Sequence, residues 1–439
     1  MKLDRLLAAL ASFRGDGAAV RDWSLLATES RGLTFGVKDR ELGNPHAPLA
    51  LEESGDVRYR LVWSDGRVSR GNLERRQIEG DLSETLGYAR AAAYDDPDAA
   101  WVLGSRPMPE VAMLDDDAAA LARGDTGLLA DRLERVRSRI EREAIRTWSG
   151  SFSAHDSTAR VLTSAGLDAQ ARGTVVGWHV VVNGEIGDGF SARRAEAEAA
   201  FEARLERLLE LARRLERPGP TIPAGARPVL LAPRVVEAYV LGTLLENLSG
   251  PTVAHGEGHF RREQFGSGHP VLREDLELRL DPLQPLRRGT YRFTAEGVPA
   301  APCVFIERGR LVQPLLDLKY ARRLGLDPTP LPLGLDTLHF AGSPPLALPD
   351  ALAAADDGVL VLSVLGVHTQ DDGSGDFSLA APQALGIRGG ALAGRLRGTL
   401  SGNLFRLLSD GGLRFVAFED EPTPGLLLRC RFDPQDSRA

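Results

Sequence analysis

Cysteine is nearly absent, with Cys303 and Cys430 the only two in 439 residues. Two thiols cannot build the disulfide framework of a small secreted domain, so the fold must rest on burial, and a reducing cytoplasm is the simplest expected location. Long apolar runs are missing as well: none approaches the roughly 18 residues that cross a bilayer, so no membrane association is expected. The opening MKLDRLLAALASF has a basic residue and an apolar stretch, but Asp4 and Arg5 interrupt it, and it reads as an amphipathic first helix rather than an export signal. A basic excess is lacking too. The formal net charge is -8, with 53 Lys and Arg against 61 Asp and Glu, which argues against a nucleic-acid binder held by phosphate contacts. Phosphate-loop, dinucleotide and serine-hydrolase elbow motifs do not occur, and His368 has no serine partner in sequence.

What remains is a chain too long for one ordinary core, which predicts two domains. The first half alternates strand-like and helix-like segments. Val57–Trp63 and Arg67–Arg70 flank Ser64-Asp65-Gly66, and Thr174–Val182 precedes Asn183-Gly184; both pairs suit tight hairpins whose central residues take positive φ. Arg160–Ser164 reads as a further strand. Leu129, Leu133, Val136, Ile140 and Ala144 share one face of a predicted helix near Thr126–Thr147. Ser191 is placed as the N-cap of the longest helix, with Phe201, Leu205, Leu208, Ala212 and Leu215 on its apolar face. That helix stops at Pro218, and Arg217–Pro228 holds four prolines and two glycines, which reads as an interdomain connection.

The expected domains are therefore residues 1–222 and 223–439. Beyond the connection come short β-like runs, clearest at Val229–Leu231, Leu276–Leu280, Tyr291–Thr294, Val304–Glu307 and Val359–Leu365, with only Pro233–Leu248 and Leu315–Leu324 looking helical. The fold class is α+β: an N-terminal α/β domain with helices on a sheet and a C-terminal, mostly antiparallel β domain.

Three places could carry chemistry. His255 and His259 lie four apart, as zinc-binding histidines on a helix do, but Gly256 and Gly258 disfavour a helix and Glu257 falls centrally instead of directly after the first His. A solvated polar loop is the plainer reading. Asp371, Asp372 and Asp376 sit in a Gly- and Ser-rich turn that could line a peptide groove or hold a cation, although turn chemistry alone accounts for them. Cys303 and Cys430 lie in apolar surroundings and read as core residues.

The order of short motifs adds more than any one of them. LLENLSG (244–250), GEGHFRREQFGSG (256–268), LRLDP (278–282), RGTYRFTAEGVP (288–299), FIERGRLV (305–312), LLDLKYARRLG (315–325), GSGDFS (373–378) and GNLFRLL (402–408) follow one another along the C-terminal half. This series resembles the TldD/PmbA family, the "modulator of DNA gyrase" proteins, and specifically its PmbA (TldE) branch. RVLTSAG (160–166), with the hairpin and long helix after it, resembles the family's N-terminal half. In the zinc-bearing TldD branch the segment after the Leu pair reads His-Glu-three residues-His, and a late Cys completes the site. Here the first position holds Glu246-Asn247-Leu248-Ser249-Gly250, and Gly402-Asn403-Leu404 stands where that Cys would be.

The resemblance implies a non-zinc subunit of a two-subunit metallopeptidase acting on extended or modified peptides. It implies zinc in a TldD-like partner, a heterodimer or higher assembly, and no catalytic or metal residue on this chain. Arg261, Arg262, Asp376, Phe377 and Asn403 are the peptide-groove candidates, with Arg273 a further cation near the Gly-rich loop. Two alternatives stay open: a stand-alone peptide-binding or maturation scaffold, and an active homodimeric metallopeptidase using His255 and His259.

Overall fold

Alternating apolar and polar residues build the first half of the computed structural model, which describes residues 3–38, 46–143, 145 and 147–435. Its strands are β1 (Arg14–Gly15), β2 (Ala18–Val37), β3 (His46–Trp63), β4 (Val68–Glu74), β5 (Trp148–Thr163), β6 (Asp168–Val182) and β7 (Ile186–Ala192). They form one antiparallel sheet ordered β4-β3-β2-β5-β6-β7, with β1 folded back on β2. Asn183 and Gly184 both have positive φ, 54° and 64°, as the hairpin reading requires. At the other hairpin only Gly66 does, with φ 89°, so Asp65 is spared the left-handed region and the turn is wider than expected.

Alternation puts one set of side chains on a single sheet face, and helices cover it. There α1 (Leu3–Ser12), α2 (Arg75–Glu79) and α3 (Leu82–Ala91) bury Leu25, Ala27, Val57 and Leu61. Farther along, α4 (Asp116–Ala122), α5 (Gly127–Arg142) and α6 (Glu198–Leu215) cover Leu33, Phe152, Ala154 and Trp178. The face of α5 is as expected through Ile140, and Ala144 lies outside the described residues.

The longest helix does not start at Ser191. Ser191 and Ala192 pair with Gly177 and Val176 in β7, and Ala197 is the N-cap, without a side-chain bond. The intervening segment is pinned instead: Arg193 donates to the Thr290 carbonyl, and buried Glu196 accepts from Trp178 Nε1 at 3.0 Å. Sheet pairing and these bonds outweigh a local cap worth about 1 kcal/mol.

The second half begins with β8 (Gly225–Leu231) and a helical stretch made of α7 (Pro233–Val235), a π-helical segment Val236–Leu241 and α8 (Gly242–Leu248), followed by α9 (Gly250–His255). A small antiparallel sheet joins β9 (Glu277–Leu280), β10 (Cys303–Glu307), β11 (Arg310–Leu311) and β12 (Leu338–Ala341), with α10 (Leu318–Leu324) beside it. Next come β13 (Leu346–Ala347), α11 (Leu348–Ala354), β14 (Val359–Leu365), β15 (Asp376–Arg388), β16 (Ala391–Asn403), α12 (Leu404–Ser409), β17 (Arg414–Ala417) and β18 (Gly425–Pro434). Because β8 pairs with both β14 and β18, the ring β8-β14-β15-β16-β18 closes, leaving β17 and β13 attached outside it. Only β8–β14 and β13–β17 are parallel, so the unit is mostly antiparallel and the whole chain is α+β.

Three local expectations change here. Tyr291–Thr294 is a turn, not a strand: Phe293 bridges Pro299 and packs with Val298 against Val161 and Leu167 of the first sheet region. Helices α9, α11 and α12 add to the two expected. The proline-rich connection is held down, with Gly219 N–H bonding Arg395 O and Arg395 N–H bonding Arg217 O. The apolar cluster around α6 also contains Leu230, Leu385, Ile387 and Leu427, so one continuous core crosses residue 222.

Within the second half, Asp275 fastens the small sheet to the ring. It accepts from Arg273 Nη2 and from Ser343 N–H, both at 2.7 Å, while Arg273 Nη1 reaches Leu413 O at 2.5 Å. Arg273, half of this internal pair, is therefore already neutralised. Burial alone would raise the Asp275 pKa, but Arg273 and Ser343 outweigh it and bring it down to about 2. A depressed carboxyl stabilises fully above its unfolded pKa of about 3.9 and loses that contribution as pH falls towards its folded value. Asp275→Asn is expected to cost about 2 kcal/mol at neutral pH and almost nothing near pH 2, read from urea melts across that range.

Candidate functional site

Four of the segments singled out by sequence meet at one end of the ring. The first is the helical stretch, whose π-helical segment places Tyr239 edge-on to Phe377 of β15, with ring centroids 5.2 Å apart. The stretch breaks at Ser249, which has an extended ψ of 144° and caps α9 through its hydroxyl. Pro251 follows in the first turn, where a missing N–H costs nothing. Exposed Glu246 accepts from Thr252 Oγ1 at 2.7 Å, which closes a small polar ring with Ser249.

The second segment is the Gly/His loop. His255 ends α9, and Gly256, with φ 69°, stops it in the left-handed conformation. His255 and His259 therefore do not share a helix face. His255 meets Tyr320 of α10 edge-on at 6.0 Å, whereas His259 lies flat on Phe405 of α12, with centroids 3.8 Å apart and 6° between planes. Burial, aided by Arg261, holds the His259 pKa below the usual imidazole value.

Asn247 joins these pieces. Fully buried in α8, it donates from Nδ2 to Thr243 O and to Asp372 O, both at 2.9 Å, and its Oδ1 accepts from the His259 N–H at 2.6 Å. One amide thus clamps α8, the Gly/His loop and the aspartate-rich loop together. A Cβ on Gly258 would lie 2.8 Å from that Oδ1 and 2.5 Å from Thr252 Cγ2, so only glycine lets the loop approach.

The third and fourth segments are the aspartate-rich loop and the β16–α12 junction. Asp371 Oδ1 accepts from Gly373 and Ser374 N–H at 3.0 and 3.2 Å, an Asx turn, and Asp372 Oδ1 accepts from Thr243 Oγ1 at 3.2 Å. Asn403 is the N-cap of α12, accepting from Arg406 N–H at 3.0 Å, while its Nδ2 donates to Ser374 O and to Asp376 Oδ1 at 2.9 and 2.8 Å. Asp376 and Asn403 face each other across β15 and β16. Phe377 is buried, and exposed Arg261 and Arg262 donate to Gly256 O and Leu324 O at 2.6 and 2.7 Å.

Cys303 and Cys430 lie elsewhere, each buried and free, with burial pushing their thiols up to about 11 and about 12. Among the described residues, no group of three or more His, Cys, Asp or Glu side chains comes together as a metal cluster would. What the arrangement offers is a rigid rim of capped helix ends and Asx turns around backbone groups. Sequence reasoning marked Asn247 as a changed position but not as the clamp, since its three partners lie 4, 12 and 125 residues away.

Residues 224–412 match the family model described as the PmbA/TldA metallopeptidase C-terminal domain. The C-terminal part of this chain is thus similar to the C-terminal domain of the PmbA/TldD-type metallopeptidases. A metalloprotease of Synechocystis sp. is 28% identical over 203 residues, which is 44% of this chain and 42% of that protein, so the matched segment spans less than half of the relative. The fold extends to the whole chain. TldE from Thermococcus kodakarensis superposes with a TM-score of 0.73 at 17% identity, covering 98% of both chains. A proposed modulator of DNA gyrase from Thermotoga maritima gives 0.74 at 19% identity, again over 98% of both. The TldD/PmbA-type domain thus sits on an N-terminal sheet and helix layer shared with these structures. No helix among the described residues is long and apolar enough to cross a membrane.

Proposed function

We propose that this chain is the non-zinc, TldE-like subunit of a two-subunit peptidase, pairing with a TldD-like partner that carries zinc, and that it helps enclose an extended peptide in the cytoplasm. Asn247 carries the reading: where the zinc-bearing branch has its acid/base carboxylate, this chain has a buried amide whose three bonds are all structural. The neighbouring donors do not fit a zinc ion either. Glu246 is engaged by Thr252, and Pro251, at the place of the second histidine, offers no donor atom. The two histidines of the Gly/His loop stack on different rings. The name of the Thermococcus neighbour, TldE, and that of the Synechocystis relative, a metalloprotease, point the same way.

On this reading the chain contributes shape, rim and strand edges that hold a peptide by backbone pairing, and the partner contributes the metal chemistry. The deciding experiment is peptide hydrolysis by the purified chain alone, by a TldD-like partner alone and by the mixture, each with and without a chelator. Cleavage that requires the mixture and stops with chelator is the expected result. Chelator-sensitive cleavage by this chain alone, abolished in a His255→Ala/His259→Ala variant, would overturn it.

A further inference from the structure

A polar cleft lies on the face of the first sheet opposite the helices. It encloses about 530 Å³ between β2, β3 and β4 on one side and Ala295–Glu296 on the other. Three arginines line it. Arg60 and Arg70 are direct cross-strand partners on β3 and β4, and Arg58 is one row along, opposite Asn72 and Leu26. Like charges opposite each other on adjacent strands destabilise a sheet unless a counter-ion bridges them.

Among the described residues only Arg60 of the three is bonded to a carboxylate, while Arg70 acts on Asp96 at longer range. Arg60 is 6% exposed and donates to Glu296 Oε1 and to Trp101 O, both at 2.8 Å. Arg58 and Arg70 are exposed, with no hydrogen bond or ion pair to any of the described residues. The surrounding carboxylates are otherwise engaged. Glu296 Oε2 also accepts from Leu318 N–H, Asp96 pairs with Lys319 at 2.8 Å, Asp317 caps α10, and Asp56 accepts from Asn72 in the amide orientation that satisfies both of its ends. Leu26 and Ala295 form an apolar wall, which strengthens any charge interaction beside it. β4 is also the edge strand of its sheet, and beyond it, among the described residues, only Val68 is bridged, to Tyr94. An extended chain can pair with such an edge and turn a side chain into the cleft.

We propose that this cleft is an oxyanion subsite that takes a carboxylate of an extended peptide, with Arg58 and Arg70 as its ligands and buried Arg60 as the fixed charge behind them. The inference rests on the peptide-handling reading above and adds to it a preference for acidic peptides. It places that preference on a row of arginines on the first sheet and not on the groove candidates Arg261 and Arg262 or on Arg273, whose guanidinium groups are already bonded.

The test is fluorescence anisotropy with the full chain and two labelled, C-terminally amidated extended peptides that differ only in two Glu or two Gln at the centre. The Glu peptide is expected to bind about tenfold tighter, as a charge-assisted pair of contacts should. The preference should vanish in Arg58→Gln/Arg70→Gln, whose near-UV circular dichroism should match the parent because both side chains are exposed. A Gln peptide with a free C-terminal carboxylate shows whether a chain end serves as well as a side chain. Equal binding of the two amidated peptides, or a preference that survives the double substitution, would overturn the subsite. Cleavage of the Gln peptide by the two-subunit mixture would still proceed in that case, which separates this failure from failure of the proposed function. Inorganic phosphate should displace the Glu peptide; phosphate binding without any carboxylate binding would assign the cleft to a free anion and overturn the peptide assignment.

Discussion

Replacing Asn247 with leucine is expected to destabilise the protein by about 3 kcal/mol and to loosen the Gly/His and aspartate-rich loops together. The two side chains have similar volume, so the change removes hydrogen bonds without opening a large cavity. It strands the His259 N–H and the Asp372 carbonyl, each losing its Asn247 contact. Each such buried group costs roughly 1–3 kcal/mol when left unpaired. Asn247→Asp is the informative companion. Its carboxylate would still accept from His259 but would face the carbonyls of Thr243 and Asp372, with the Asp372 side chain close by. Protonation turns one oxygen into a donor, so the Asp variant should recover part of its stability in mild acid while the Leu variant does not. Urea melts at two pH values and hydrogen exchange over residues 255–260 and 371–376 read both effects.

Gly375→Ala is the second large effect, also about 3 kcal/mol, from steric causes. Gly375 has φ 74°, and a Cβ there would lie 2.4 Å from Phe405 Cδ2. The left-handed conformation costs a non-glycine residue about 1 kcal/mol, and forcing an atom into a packed ring costs about 1–3 kcal/mol more. Phe405 cannot easily retreat, because His259 is stacked on one face and Phe260 meets it edge-on at 5.4 Å. Pairing the change with Phe405→Leu should therefore recover the packing part of the loss but not the backbone part. Full additivity of the two changes in thermal melts would contradict the contact.

Much of the architecture was legible because it depends on local periodicity. The amphipathic faces of α1, α5 and α6 and the Asn183-Gly184 hairpin all follow from residues within a turn or two of each other. The misreadings have a common cause as well. Ser191 has good cap chemistry, yet β6 pairs with it; Phe293 has strand-like character, yet it plugs the space against Val161 and Leu167. In each case a partner more than ten residues away won over local preference.

The site divides in the same way. The ordered motifs of the C-terminal half pointed to the family whose C-terminal domain model matches residues 224–412, and the resemblance implies that Glu246, Asn247 and Gly402-Asn403-Leu404 stand where its zinc-bearing branch has ligands. What Asn247 does could not be read there, because its partners come from three separate segments brought together only by the closed ring and the break at Ser249. The facing of Arg60 and Arg70 likewise depends on strand register, where a one-residue slip would turn either side chain to the other face. Composition and periodicity, being local, determined which elements form, which faces are apolar and that the thiols stay unpaired. Tertiary structure alone decided which polar groups become clamps and which arginines have no bonded carboxylate among the described residues, since hydrogen bonds and charge pairs are settled by distance in space and not by separation along the chain.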